Sequence, residues 1–223
     1  MGFYRGPKIV TDGLVLALDA ASKRSYVSGS STWYDLSGND YNATVESSVS
    51  FSSTYGGGLT TLNDLNNANQ SIYGSISLSS EYYTWEIWFT NNGSQGADAS
   101  AFGVKDSGGI TSNGFRAQPA IQTWIDGSLD VTTTAAATSS PTQVIQRRSG
   151  ITFNGFVNSV LSDTDTGDSE YGTYTSYSMN DRSFTISNNG WNGTYYIVRM
   201  YNRALSNEEI LQNYDATKLR FGL

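Results

Sequence analysis

W-N-G-T-Y-Y-I-V-R-M-Y-N-R-A-L-S-N-E-E-I-L-Q-N-Y, residues 191–214, is the stretch whose reading decides the fold. Asn192-Gly193 is a turn signal, because both residue types tolerate the positive φ of tight hairpins. The run Tyr195, Tyr196, Ile197, Val198, Met200 and Tyr201 is aromatic and β-branched throughout, which predicts a strand buried on both faces. Ser206 and Glu209 then stand at the spacing of a capping box, with Leu205 and Ile210 at the hydrophobic-staple positions. A turn, a buried strand and a capped helix make a closing element, and a closing element needs a sheet to close. The helix is expected to cover a sheet edge or an open end.

Working outward, residues 81–90 (E-Y-Y-T-W-E-I-W-F-T) alternate with period two. Tyr83, Trp85, Ile87 and Phe89 share one face; Tyr82, Thr84, Glu86 and Trp88 share the other. Residues 13–19 (G-L-V-L-A-L-D) predict a central strand. Shorter strands are predicted near Ile72 and over 101–105, 114–118, 120–126, 143–148, 151–153 and 182–187, with turn chemistry between them, Asn154-Gly155 among the turns. Residues 132–141 (T-T-T-A-A-A-T-S-S-P) read as an exposed connection. The whole is an all-β sandwich of two antiparallel sheets, with an arm over 1–12 and one domain over 13–223.

Charge and composition remove whole classes of function. The 223 residues include 13 Lys and Arg against 20 Asp and Glu, so the formal charge is −7, the wrong sign for gripping phosphate backbones. There is no His and no Cys, which excludes histidine-based triads and metal sites, thiolate chemistry and disulfides. No apolar run reaches membrane-spanning length, and the first residues lack a signal-peptide layout. Glu81 and Glu86 fall on opposite faces of one strand, so they cannot pair as glycosidase carboxylates.

Three groups of residues remain as candidates. Trp33, Tyr34, Trp191 and Asn192 lie beside loops, where aromatic rings and an amide suit the flat faces and hydroxyls of a glycan; the alternative is that the rings plug the ends of the sandwich. Asp163, Asp165, Asp168 and Glu170 crowd into D-T-D-T-G-D-S-E. That run reads first as a solvated acidic turn and second as a calcium loop, since calcium takes six to eight oxygens. Phe3, Tyr4, Arg5 and Lys8 put aromatic and basic groups on the arm of an acidic chain, which suits either a loose tail or a docking segment.

Five motifs occur here in the order of a known family: G-L-V-L-A-L-D-A-A at 13–21, W-Y-D-L-S-G-N at 33–39, T-W-E-I-W-F at 84–89, F-N-G at 153–155 and V-R-M-Y-N-R-A-L-S-N-E-E-I-L-Q-N-Y at 198–214. The chain resembles the laminin-G-like, concanavalin A-like jelly rolls of bacterial surface proteins and tailed bacteriophages. Y-R-G-P-K-I-V-T-D-G at 4–13 and the final K-L-R-F-G-L resemble stand-alone virion proteins of such phages. Where relatives often carry acidic residues before V-R, this chain has Tyr196 and Ile197. The resemblance implies a concanavalin A-like jelly roll with a short C-terminal helix. It also implies a non-enzymatic virion structural protein: a capsid decoration, neck or tail component made without a signal peptide and displayed in multiple copies in a symmetric assembly. Its partners would be other virion proteins, with no nucleic acid and no membrane insertion. The alternative is an adhesin for cell-surface or environmental glycans, and the third reading is a glycan-cleaving enzyme.

Overall fold

The structure, a computed structural model, describes residues 7–62, 70–92, 100–106, 111–118, 120–125, 128–136, 139–167, 172–180 and 191–223. The strands in chain order are β1 (Leu14–Asp19), β2 (Thr32–Trp33), β3 (Ala43–Val45), β4 (Ser50–Ser52), β5 (Gly58–Thr61), β6 (Ile72–Ser79), β7 (Tyr82–Asn91) and β8 (Ser100–Asp106). They continue as β9 (Thr111–Gln118), β10 (Ala120–Ile125), β11 (Ser128–Ala136), β12 (Thr142–Ser149), β13 (Thr152–Val157), β14 (Val160–Thr166), β15 (Thr173–Met179) and β16 (Gly193–Tyr201). Helix α1 (Asn207–Thr217) and a 3-10 turn (Lys218–Phe221) close the chain.

The strands form two antiparallel sheets packed face to face. Sheet A runs β14-β13-β12-β7-β16-β5-β4, with β1 also paired to β16; sheet B runs β11-β10-β9-β8-β15-β6-β3-β2. This is the predicted all-β, lectin-like sandwich with its short C-terminal helix. The inner face of β7 (Tyr83, Trp85, Ile87, Phe89) and of β16 (Tyr195, Val198, Met200) meets Phe102, Phe115, Tyr174 and Tyr177 of sheet B in one core. Aromatic side chains each remove ~150–250 Å² from water, so this layer supplies much of the hydrophobic driving force.

β16 is buried along its whole length because its outer face is covered as well. The pairing of β16 with β7 shifts register between Tyr195 and Ile197. The extra residue turns both Tyr196 and Ile197 outward, where they pack with Trp88 and Phe221. These two residues are therefore the seat of the C-terminal turn. Asn192-Gly193 is not the predicted tight turn: Gly193 opens β16 itself. Glycine is required there because a Cβ would sit 2.5 Å from the Thr90 carbonyl oxygen and 2.6 Å from the Trp191 ring.

The predicted helix start is present in full. Ser206 Oγ accepts from the Glu209 N–H at 3.3 Å, and Glu209 Oε2 accepts from the Ser206 N–H at 2.8 Å. Leu205 and Ile210 pack together with Val10, Ile145, Phe156 and Tyr201. The sequence suggested that the helix covers a sheet edge or an open end, but it does neither. It lies over the outer face of sheet A, with Tyr214 and Phe221 stacked on Trp88 at 5.6 and 4.7 Å.

One further expectation changes, and another is not tested. Residues 132–136, read as exposed connection, belong to β11, and their threonines suit an extended backbone. The predicted strand over 182–187 lies outside the described residues. The motif W-Y-D-L-S-G-N proves to be an organiser of β1. Asp35 Oδ1 accepts from the N–H groups of Ala17 (2.8 Å) and Ser37 (2.9 Å), Asp35 Oδ2 accepts from Ser37 Oγ (2.7 Å), and the Leu36 N–H donates to the Ala17 carbonyl (2.8 Å). The loop thus occupies backbone groups of β1 that β16 does not reach.

Candidate functional site

A cavity of about 470 Å³ opens where β4, the end strand of sheet A, faces β2 and β3 at the end of sheet B. Its walls are two short Ser-rich segments. The first is the loop before β2: Ser25 and Tyr26 both donate backbone N–H groups to the Ser22 carbonyl at 2.8 Å, and Ser30 N–H donates to Val27 O at 2.9 Å. Gly29 sits at the tip with φ +85°, a left-handed conformation that favours glycine. Tyr26 Oη donates to the Ser30 carbonyl at 2.9 Å, and Ser30 Oγ both donates to and accepts from the Thr32 backbone. These bonds hold the loop in one shape.

The second wall comes from Val45, at the end of β3, through Phe51 in β4. Val45 N–H donates to Ser31 O at 2.9 Å, tying the two walls together. Glu46 is fixed at the junction: its N–H donates to Ser71 O at 3.2 Å and its Oε2 accepts the Ser71 N–H at 2.7 Å. The floor is apolar, with Phe51 stacked on Tyr26 at 5.8 Å and 26°. Ser28, Gly29, Ser31 and Ser47 are exposed at the rim. Burial raises the Tyr26 phenol above its ordinary pKa, partly offset by hydrogen bonding at the Gly29 backbone, so it stays a donor at neutral pH. Glu46 is the charged residue among those that line the cavity. The arrangement offers an apolar floor, a ring of hydroxyls and one carboxylate.

The residues singled out from sequence do not form this site. Trp33 and Trp191 are both 0 % exposed, so neither can offer a ring face to a sugar. They plug the sandwich: Trp191 meets Phe89 edge-on at 5.0 Å and Tyr195 at 5.5 Å. Tyr34 is half exposed, but its backbone, bonded to the Ser25 carbonyl at 2.7 Å, is what shapes the loop. Asn192 is half-buried and its carbonyl accepts the Asn92 N–H at 3.0 Å.

Asp163 and Asp165 lie in strand β14, not in an acidic loop. Each carboxylate accepts the N–H of the next residue, Thr164 at 2.8 Å and Thr166 at 2.7 Å. Asp168 and Glu170 lie outside the described residues, and among the described residues no carboxylate cluster could hold a metal ion. Phe3, Tyr4 and Arg5 are likewise outside them. Lys8 is exposed, and its carbonyl accepts from Gln212 Nε2 at 2.7 Å, while Val10 N–H donates to Asn213 Oδ1 at 2.8 Å. The last part of the arm is thus tied down along α1.

Sequence reading missed Tyr26, Glu46 and Phe51. The available signal was a pair of serine-rich runs with one aromatic each, S-Y-V-S-G-S-S at 25–31 and E-S-S-V-S-F at 46–51. Nothing in one sequence says that they face each other.

No protein-family model matches the chain, and no curated protein sequence matches it. Solved structures do. The binding domain of Paraclostridial Mosquitocidal Protein 1 superposes with TM-score 0.70 at 15% identity, over 92% of this chain and 52% of that one. Trypanosoma rangeli sialidase in complex with sialic acid gives 0.68 at 13% identity, over 93% and 33%. Domain 4 of an extracellular arabinanase from Geobacillus stearothermophilus, in complex with arabinotriose, gives 0.65 at 13% identity, over 90% and 98%. The chain spans about half of the toxin binding domain and a third of the sialidase. At these identities the likeness is one of fold, and the fold is a lectin-like β-sandwich.

Proposed function

We propose that this chain is a non-catalytic, lectin-like module that binds glycan in the groove walled by the segments 26–31 and 45–51, with Tyr26 and Phe51 stacked at its base. The observation that carries the reading is the groove itself: a stacked aromatic floor and exposed serines at the junction of two sheet ends. The similarity to an arabinanase domain in complex with arabinotriose supports the same direction. The test is calorimetric titration with a panel of oligosaccharides, comparing the wild type with Ser31→Trp, which fills the rim from an exposed position. Saturable binding lost in the folded variant supports the proposal, and absence of binding across the panel defeats it.

The setting we propose, on the strength of the sequence resemblance, is the surface of a tailed-phage particle, with the module carried in many copies. Residues 8–10 run along α1, so an attachment through the preceding residues would leave from the outer face of sheet A. The groove, at the sheet ends, would then remain open to solvent. Density for this sandwich on an intact particle is the supporting result; particles lacking it would remove the setting and leave the glycan reading standing.

A further inference from the structure

The proposed glycan site carries a charge preference, which rests on that reading and sharpens it. The cavity lining combines Tyr26, Val45, Val49 and Phe51 with serines and a single ionisable acid, Glu46. The carboxylate is not a loose surface group. Its Oε2 is pinned by the Ser71 N–H at 2.7 Å, and the Glu46 backbone is held on both sides by Ser71 O and by the Val49 N–H. Among the described residues none donates to Oε1. A carboxylate held in place with an accepting oxygen to spare binds hydroxyl donors through charge-assisted bonds, which are stronger than neutral ones.

The same charge acts against anions. Lys23 and Arg24 precede Tyr26 on an exposed turn, but neither lines the cavity. The chain as a whole carries −7, so the long-range field adds to the local repulsion. A sugar carboxylate or sulfate entering the groove would face Glu46 over an apolar floor, where like charges are poorly screened.

We infer that the groove selects neutral saccharides presenting adjacent free hydroxyls, with Glu46 accepting from them, and rejects sialylated, uronic-acid and sulfated glycans. Rejection is as much a part of the specificity as attraction. Glu46→Gln keeps an accepting oxygen for the Ser71 N–H but removes the charge and turns the second oxygen into an amide donor, so the fold is preserved while the preference changes.

The experiment compares matched neutral and sialylated or uronic-acid oligosaccharides by NMR titration, on wild type and Glu46→Gln, at low and at high salt. The expected result is shifts confined to residues 26–31 and 45–51 and neutral ligands favoured by about ten-fold or more. That ratio should shrink in high salt and largely vanish in Glu46→Gln. Tighter binding of the acidic sugars, or a neutral preference unchanged in Glu46→Gln, overturns the inference while leaving a glycan-binding module. Absence of binding to every sugar removes the proposed function and the inference with it.

Discussion

Glu86 and Arg199 form an ion pair of 2.7 Å on the outer face of sheet A, with the Glu86 side chain fully buried beneath α1. Trp88 Nε1 and Gln143 Nε2 also donate to Glu86 Oε1, both at 2.9 Å, and Asn213 Nδ2 donates to Oε2 at 3.0 Å. Arg199 in turn donates to Thr217 Oγ1 at 3.1 Å. One carboxylate thus joins β7, β16, β12 and the helix. Taking such a charge out of water is costly, and only this many partners offset the cost.

Removing one member leaves the others buried without a counterpart. Glu86→Ala should lower stability by about 3–5 kcal/mol, and Arg199→Met should do comparable damage. The double substitution should recover only part of the loss, because Trp88, Gln143 and Asn213 would still lack their acceptor. Urea denaturation of the four proteins measures this, and a double variant as stable as wild type would show that the network contributes nothing.

Trp33→Ala and Trp191→Ala should each cost about 3–5 kcal/mol, the usual penalty for emptying an aromatic site in a packed core. Trp33→Phe and Trp191→Phe should be much milder, because neither indole N–H has a hydrogen-bond partner among the described residues. Thermal melts separate the two series. Glycan affinity should not change in any variant that remains folded.

Acid should weaken the helix start. Glu209 is held below its ordinary pKa, first by Arg203, whose guanidinium reaches both carboxylate oxygens at 2.6 and 2.8 Å, and also by the Ser206 backbone N–H. A depressed carboxylate stabilises the fold above its unfolded pKa and loses that contribution as pH falls through the folded value. Glu209→Gln should therefore cost about 1 kcal/mol at neutral pH, with the gap to wild type closing in acid. Parallel melting curves from neutral to acid pH would show it.

Alkali should act through phenols. Burial raises the pKa values of Tyr177, Tyr195 and Tyr201 above the ordinary 10.0, and the hydroxyls donate to the carbonyls of Tyr41, Ala101 and Val10. The folded chain keeps these protons while the unfolded chain releases them. Stability is therefore complete below pH 10 and falls as pH rises towards the folded values, by about 1.4 kcal/mol per pH unit for each tyrosine. The share of tyrosinate absorbance that comes from these three phenols should appear together with unfolding, not before it, and should be missing from the Tyr177→Phe, Tyr195→Phe and Tyr201→Phe variants.

The parts of this fold that were legible were those written in local pattern. Period two in 81–90 and the spacing of Ser206 and Glu209 state their structures outright, and both elements are present. What was hidden depended on position in three dimensions. Glu86 looks like a solvent-facing residue in an alternating strand, and only the helix above makes it a buried hub. Trp33 and Trp191 look loop-borne because their flanks are polar, yet the sandwich closes over them. The acid-rich run reads as a loop because Asp disfavours strands, but pairing with β13 holds residues 160–166 extended. The groove was the least legible of all, since its two walls are separate in sequence and unremarkable by composition.

The clamp between the arm and α1 sets a timetable for the chain on the ribosome. Val10 finds its partner in Asn213, 203 residues later, and β1 likewise waits for β16. At ordinary synthesis rates the first strand stands unpaired for roughly 10–40 s while the rest of the sandwich is made. Its Leu14, Leu16 and Leu18 wait for β16 throughout, although the loop of Asp35 and Leu36 can already bond the other side of the strand. The step that completes the fold is therefore the arrival of the last strand and helix, so truncation before residue 213 should turn a well-behaved protein into one that aggregates as it is made.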